Sequence, residues 1–144
     1  METAQGSRVQ VRRVAFGRLL WVGPLAALAA AVANAVVYFV AYGLGAMPQD
    51  FVIEGSGPIT LAPVVVSSVI GAVGAVVVFA IVALLARRPI RTFRIVATVA
   101  LVLSFATPFT IPGAPLSMIL ALEFMHVVAA VVIVGILTTL ARAK

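Results

Sequence analysis

The sequence contains no cysteine and few charged residues. Without cysteine, the 144-residue chain cannot form disulfides, thiolate metal sites, iron–sulfur clusters or the dithiol centres of membrane redox enzymes. Charged residues make up 10% of the chain, against about 25% in an ordinary soluble domain. The hydrophobic fraction is 64%, which is more apolar surface than a water-soluble core of this size could bury. We therefore expect lipid to surround much of the chain.

Long apolar runs fill the sequence, and they are continuous rather than alternating, as in membrane helices and unlike β-barrel strands. The predicted spans are residues 19–44, 61–86, 95–109 and 116–140. Their short connections make successive helices antiparallel neighbours. The predicted fold is therefore all-α, a four-transmembrane-helix up-down-up-down bundle with basic tails at residues 1–18 and 141–144. The first run is too long for the apolar part of a cleaved signal peptide, so we expect it to remain as a span.

The ten basic residues form three patches that flank the apolar runs. They are Arg8, Arg12, Arg13 and Arg18; Arg87, Arg88, Arg91 and Arg94; and Arg142 and Lys144. The first outer connection carries Asp50 and Glu54 instead. Basic loops stay on the cytoplasmic side, so both termini are predicted to be cytoplasmic. The net charge of +6 is thus interpreted as a topology signal that also suits contact with anionic lipid, and no nucleic-acid partner is expected.

The basic residues are almost all arginine, and alanine and valine dominate the apolar set, which suggests a GC-rich bacterial genome. The expected location is therefore a bacterial inner membrane, with the lipid bilayer as the main partner.

Glu123 and His126 interrupt the fourth apolar run and, being three residues apart, share one helix face. An ionisable residue inside a membrane is a candidate functional group, and it usually faces protein or water. Counting residues from the cytoplasmic ends places Asn34 and His126 at one depth. Further polar residues at similar depth complete a predicted layer: Tyr38, Ser67, Ser68, Ser104, Thr107 and Glu123. We expect the stripe of the first helix that carries Asn34 to face the fourth helix.

This layer has two interpretations. Polar side chains often join membrane helices, with about 0.6 kcal/mol per pair. Alternatively, the layer is a small polar pocket or proton-accepting site. The small residues Gly71 and Gly74 in the second span are assigned to helix packing, with homodimerisation as the alternative.

Motifs for catalysis and metal binding are incomplete. A single histidine cannot form a three-ligand zinc site, and the Glu123-x-x-His126 spacing is only half of a di-metal bundle motif. Axial haem ligation by His126 has no second supporting feature. No Ser/His/Asp set, phosphate loop or nucleotide fingerprint is present. We therefore expect no enzyme activity, no bound metal and no cofactor.

Three segments carry a resemblance to a known family. They are LAALAAAVANAVVY at residues 25–38, ITLAP at residues 59–63 and MHVVAA at residues 125–130. The chain from Arg18 onward resembles a domain-of-unknown-function family of small four-helix bacterial integral membrane proteins. The resemblance implies that Asn34 and His126 occupy landmark positions of that family, and it implies no activity.

Two functional hypotheses follow. The first is a structural or accessory membrane subunit, as a homo-oligomer or within a larger membrane complex. The alternative is a small transporter or ligand-binding bundle that uses Glu123 and His126. Small multidrug transporters are similar in having four short helices and one membrane carboxylate, but theirs lies in the first helix and not the fourth.

Overall fold

A computed structural model describes residues 14–48, 50–55 and 57–142. Most of these residues belong to four helices, which are α1 (Phe16–Gly43), α2 (Leu61–Leu85), α3 (Pro89–Ser104) and α4 (Leu116–Leu140). Each is long and apolar enough to cross a membrane, α3 when it is extended through a 3-10 turn at Pro108–Thr110. The predicted all-α fold of four packed membrane-length helices is therefore confirmed.

Proline sets the start of α3. The helix begins at Pro89, six residues before the predicted span start at Ile95. Proline suits a first helical turn because its φ is already helical and its missing N–H would have no partner there. As a consequence, Arg91 and Arg94 lie within the helix, which places two cations along its first turns.

The α1–α2 connection closes the opposite end of the bundle. The α1 helix ends in a Schellman motif, in which Gly45 has φ +73° and the Ala46 N–H donates to the Ala41 carbonyl at 2.8 Å. A short antiparallel hairpin follows, formed by β1 (Val52–Ile53) and β2 (Gly57–Pro58). Met47, Phe51 and Ile59 of this connection pack in or against the apolar cluster at this end of the bundle.

The helices pack as a rhombus with α2 and α4 on its short diagonal. The α1 helix packs against α2 and α4, and α3 packs against the same two helices from the other side. The α3 helix is the least buried of the four. Its main anchor is Phe93, whose ring lies 4.7 Å from that of Phe79 on α2. The side of the bundle that contains α1 is therefore tightly packed, and the side that contains α3 is more open.

Two apolar clusters form the core, one towards each end of the bundle. The first, at the end where α1 begins, is built from Leu19, Val22, Ala30, Ala72, Phe79, Phe93, Ile133, Leu137 and Ala141. The second is built from Tyr38, Ala41, Met47, Val64, Met118 and Met125. The polar residues Asn34 and Ser68 are buried between them.

Basic residues collect at the end where α1 begins and α4 ends. The Ala15 N–H donates to the Ala141 carbonyl at 3.0 Å, and a guanidinium nitrogen of Arg18 donates to the Arg142 carbonyl at 2.7 Å. The arginine-rich α2–α3 connection lies at the same end because the helices alternate in direction. The predictions made for Arg8, Arg12, Arg13 and Lys144 lie outside the described residues.

Candidate polar cavity between three helices

A hydrogen bond between two buried side chains joins α1 to α2. The amide Nδ2 of Asn34 donates to Oγ of Ser68 at 3.0 Å, and these residues are 5% and 4% exposed. The Ser68 hydroxyl in turn donates to the Val64 carbonyl at 2.8 Å. The Asn34 stripe, which was expected to face α4, is therefore buried with its amide bonded to α2.

The oxygen of the Asn34 amide has no partner within the part of the chain that the structure describes. This Oδ1 atom is buried and accepts no hydrogen bond from the described residues. Asn34 lines a cavity of about 260 Å³ between α1, α2 and α4, together with Ser67, Ser68 and His126. An unpaired buried carbonyl oxygen costs roughly 1–3 kcal/mol, so a bound donor in this cavity would relieve a real penalty.

His126 has one ring nitrogen fixed by the backbone. Its Nδ1 lies 2.8 Å from the Leu122 carbonyl oxygen, which can only accept a hydrogen bond. Nδ1 therefore carries the hydrogen, and in the neutral imidazole Nε2 is an acceptor. His126 also lines a second, largely apolar groove of about 340 Å³ that α3 borders through Ser104. The histidine ring thus stands between the two spaces.

The Ser67 hydroxyl, which also lines the cavity, already donates its hydrogen to a backbone carbonyl. Ser67 Oγ donates to the Val64 carbonyl at 3.1 Å, which leaves only oxygen lone pairs for a neighbour in the cavity. Asn34 Oδ1 and His126 Nε2 are acceptors as well. The polar atoms available in the cavity therefore share one character, because they can accept hydrogen bonds but offer few donors.

Glu123 is a partly buried residue of α4 whose carboxyl group lies inside the bundle. Both carboxyl oxygens are buried and have no hydrogen-bond partner among the described residues. Glu123 and His126 share a helix face but form no hydrogen bond with each other, and His126 Nδ1 bonds to the Leu122 carbonyl instead. Helical spacing places Glu123 on the same side of α4 as His126 and Ala130. The carboxyl group therefore adds unpaired acceptor oxygens to this side of α4.

Three other residues of the predicted layer do not line this cavity. The Tyr38 hydroxyl donates to the Ile59 carbonyl at 3.4 Å and so reaches the α1–α2 connection. Ser104 Oγ donates to the Leu101 carbonyl at 2.7 Å, within its own helix. Thr107 is exposed and its carbonyl accepts from Thr110. Of the predicted layer, the structure thus brings Asn34, Ser67, Ser68 and His126 around one cavity.

The closest glycine contact is not at the residues assigned to packing. A Cβ added at Gly71 or Gly74 would meet nothing within 4 Å, and both residues line the α3-side groove. A Cβ at Gly23 on α1 would instead lie 3.1 Å from Cγ2 of Val76 on α2. Sequence reasoning missed Gly23, although Gly23 and Ala27 form a small-x-x-x-small pair that could have indicated close packing of α1.

Within residues 14–48, 50–55 and 57–142, there is no group of three or more His, Asp or Glu side chains that could hold a metal ion.

These features define the class as an all-α four-helix bundle with membrane-length apolar helices and a mainly apolar interhelical cavity that Asn34, Ser67, Ser68 and His126 also line. The family model described as "Family of unknown function (DUF6069)" matches residues 14–143. The chain belongs to this family, and the resemblance inferred from the sequence is confirmed. Among the curated proteins and the solved structures that were compared, none matches the chain.

Proposed function

We propose that the protein is a multi-pass integral membrane protein of the bacterial inner membrane, with both termini in the cytoplasm. The supporting observation is the separation of charge along the bundle. The described arginines lie at one end, and Asp50 and Glu54 lie in the connection at the other. A membrane protein retains its basic connections on the cytoplasmic side.

Within that bundle, the proposed function is binding of a small solute that carries N–H or O–H donors, as in a small transporter or ligand-binding bundle. One observation carries this proposal, which is the unpaired Oδ1 of Asn34 in the cavity shared with His126. Asn34 lies nine residues before the end of α1, or about 14 Å along its axis. The cavity would therefore lie in the outer half of the membrane.

The chemistry of the cavity favours a small amine. Asn34 Oδ1, Ser67 Oγ and His126 Nε2 can each accept a hydrogen bond, and an ammonium group supplies three donors. The carboxyl group of Glu123 does not line the cavity, but it lies three residues from His126 on the same side of α4 and, when ionised, would add to the preference for a cation. A neutral acceptor-rich solute would leave these atoms unsatisfied.

The test compares two cations that differ in donors. Thermal unfolding of the full chain in detergent is followed with increasing methylammonium or tetramethylammonium, which have the same charge. Methylammonium is expected to raise the unfolding midpoint, because a ligand at about 100 times its Kd stabilises by roughly 2.7 kcal/mol. Tetramethylammonium, which has no N–H donor, is expected to have no such effect.

Variants locate the effect in the cavity. Asn34→Leu and His126→Ala are each expected to remove the shift by methylammonium. Thr139→Ala is the matched control, because Thr139 is exposed and its hydroxyl bonds within its own helix. Equal shifts with both cations, or an undiminished shift in Asn34→Leu, would refute amine binding in this cavity.

A structural or accessory role is the second candidate, and the Asn34–Ser68 hydrogen bond between α1 and α2 favours it. On this hypothesis water fills the cavity, and the polar layer only joins helices within a homo-oligomer or larger membrane complex. Lower stability of Glu123→Gln and His126→Ala, together with no shift of the wild-type unfolding midpoint by methylammonium, would support it. Neither candidate assigns enzyme activity to the chain.

A further inference from the structure

A further groove, distinct from the one that His126 lines, runs along the outside of the bundle between α3 and α4. Its volume is about 320 Å³. Apolar side chains from both helices form its walls, and Arg94 and Thr98 add polar groups. The apolar residues include Ala97, Leu101, Ala130 and Val134. The groove is therefore amphipathic along its length, with a cation at the end nearest the start of α3.

The groove exists because small side chains face each other where α3 is loosely held. Ala97 on α3 and Ala130 on α4 leave space that larger residues would fill. The aromatic contact of Phe93 with Phe79 fixes α3 to α2, on the other side from the groove. The α3–α4 side consequently stays open along the bundle surface.

Arg94 stands at the depth of a membrane interface. It lies five residues after the start of α3, or about 7.5 Å along the axis, and it is exposed. A terminal nitrogen of its guanidinium donates to Oγ1 of Thr138 at 3.2 Å, near the end of α4. This bond joins the guanidinium on α3 to α4 at the end of the groove that Arg94 lines. A guanidinium has five N–H donors, so donors remain for a phosphate.

We infer that this groove binds an anionic phospholipid, with the headgroup phosphate on Arg94 and an acyl chain along the apolar walls. Charge complementarity selects the anionic headgroup, and the apolar walls select a chain that free phosphate lacks. The inference rests on the proposed membrane location, but it does not depend on solute binding in the cavity of Asn34.

The test is native mass spectrometry of the full-length protein in detergent, titrated with phosphatidylglycerol or phosphatidylcholine of the same acyl chains. The wild-type chain is expected to bind phosphatidylglycerol more tightly. Arg94→Ala is expected to weaken that binding about tenfold, as loss of a charge-assisted contact implies. Arg94→Lys keeps the charge without the planar fork and is expected to retain part of the preference.

Two control variants, Arg87→Ala and Val99→Leu, separate this site from general charge and packing effects. Arg87→Ala removes the same charge at the same bundle end, but Arg87 is exposed and lies outside the groove. It is expected to bind phosphatidylglycerol as the wild type does. Ala130→Leu fills the groove and is expected to weaken binding of the lipid, whereas Val99→Leu enlarges an exposed position outside it.

The outcomes are distinct. Equal losses in Arg94→Ala and Arg87→Ala, or no preference of the wild type for phosphatidylglycerol, would overturn the inference. Unfolding midpoints measured without lipid show whether each variant is folded. If Arg94→Ala does not fold, the lipid preference of Arg94→Lys is compared with that of the wild type instead. Inorganic phosphate that competes fully with the lipid would also overturn it, because the acyl chain would then contribute nothing.

Discussion

Nδ2 of Asn34 on α1 lies 3.0 Å from Oγ of Ser68 on α2, and the same amide leaves its Oδ1 buried without a donor. The two ends of one side chain therefore have opposite energetic consequences. The donor end joins two helices, and the acceptor end imposes a penalty that only a bound donor can remove. This asymmetry makes the stability of variants at the two positions unequal.

Ser68→Ala is expected to destabilise the protein more than Asn34→Leu. Removing the Ser68 hydroxyl leaves the whole Asn34 amide buried without a partner, at a cost of roughly 1–3 kcal/mol. Asn34→Leu removes the unpaired oxygen as well as the bond, and Ser68 keeps its bond to Val64. Its expected cost is about 0.6 kcal/mol, as for one interhelical hydrogen bond.

The free energy of unfolding in mixed detergent micelles, measured for both single variants and the double variant, checks this order. The reverse order would mean that the Asn34 carbonyl has a partner, such as a retained solute or water.

Alanine substitutions at Gly74 and Gly23 are expected to change the stability of the protein differently. At Gly74 a methyl group meets open space, so Gly74→Ala should stabilise α2 by about 0.5–1 kcal/mol through a lower entropy of the unfolded chain. At Gly23 the methyl group meets Cγ2 of Val76 at 3.1 Å, so Gly23→Ala should gain less or lose stability.

The difference between the two unfolding midpoints is the readout, and Gly71→Ala should behave as Gly74→Ala does. A midpoint for Gly23→Ala as high as that for Gly74→Ala would show that α1 and α2 can separate there at no cost.

Replacing the buried carboxyl group by an apolar side chain of similar length is expected to stabilise the fold. Glu123→Met removes two buried oxygens without partners, for a gain of roughly 1–3 kcal/mol in the free energy of unfolding. Glu54→Met is the control, because Glu54 is exposed in the α1–α2 connection and little change is expected. A loss of stability in Glu123→Met would reveal a partner for the carboxyl group in the purified protein.

The absence of cysteine makes the proposed membrane orientation directly measurable. Leu44 and Leu85 are 80% and 81% exposed and lie at opposite ends of the bundle, so they offer matched labelling sites. In intact bacterial cells, Leu44→Cys is expected to react with a membrane-impermeant maleimide, and Leu85→Cys only after the cells are opened. The opposite pattern would place the basic end outside.

The fold could be predicted because its signals are local. Continuous apolar runs and their basic borders appear in the sequence without reference to tertiary contacts, and α2 and α4 end within one residue of the predicted limits. The start of α3 was less well placed, because Arg91 and Arg94 depress the local hydropathy although Pro89 favours a helix start.

The site could be predicted only in part. Spacing placed Glu123 and His126 on one helix face and brought Asn34 to a similar depth, since both follow from helical geometry. Spacing could not show that His126 bonds to its own backbone instead of to Glu123, because that choice depends on a side-chain rotamer. The same holds for the bond from Arg94 to Thr138, which joins residues far apart in sequence.

The sequence by itself determined the class, the number of helices and the separation of basic from acidic ends, because hydropathy and charge act along the chain. Only the tertiary structure decided which polar atoms have partners. Whether Asn34 Oδ1 is satisfied depends on the rotation of α1 against α2 and α4, which is fixed by close packing such as that of Gly23 on Val76. The cavity and the unsatisfied acceptor atom that lines it are therefore properties of the packed bundle.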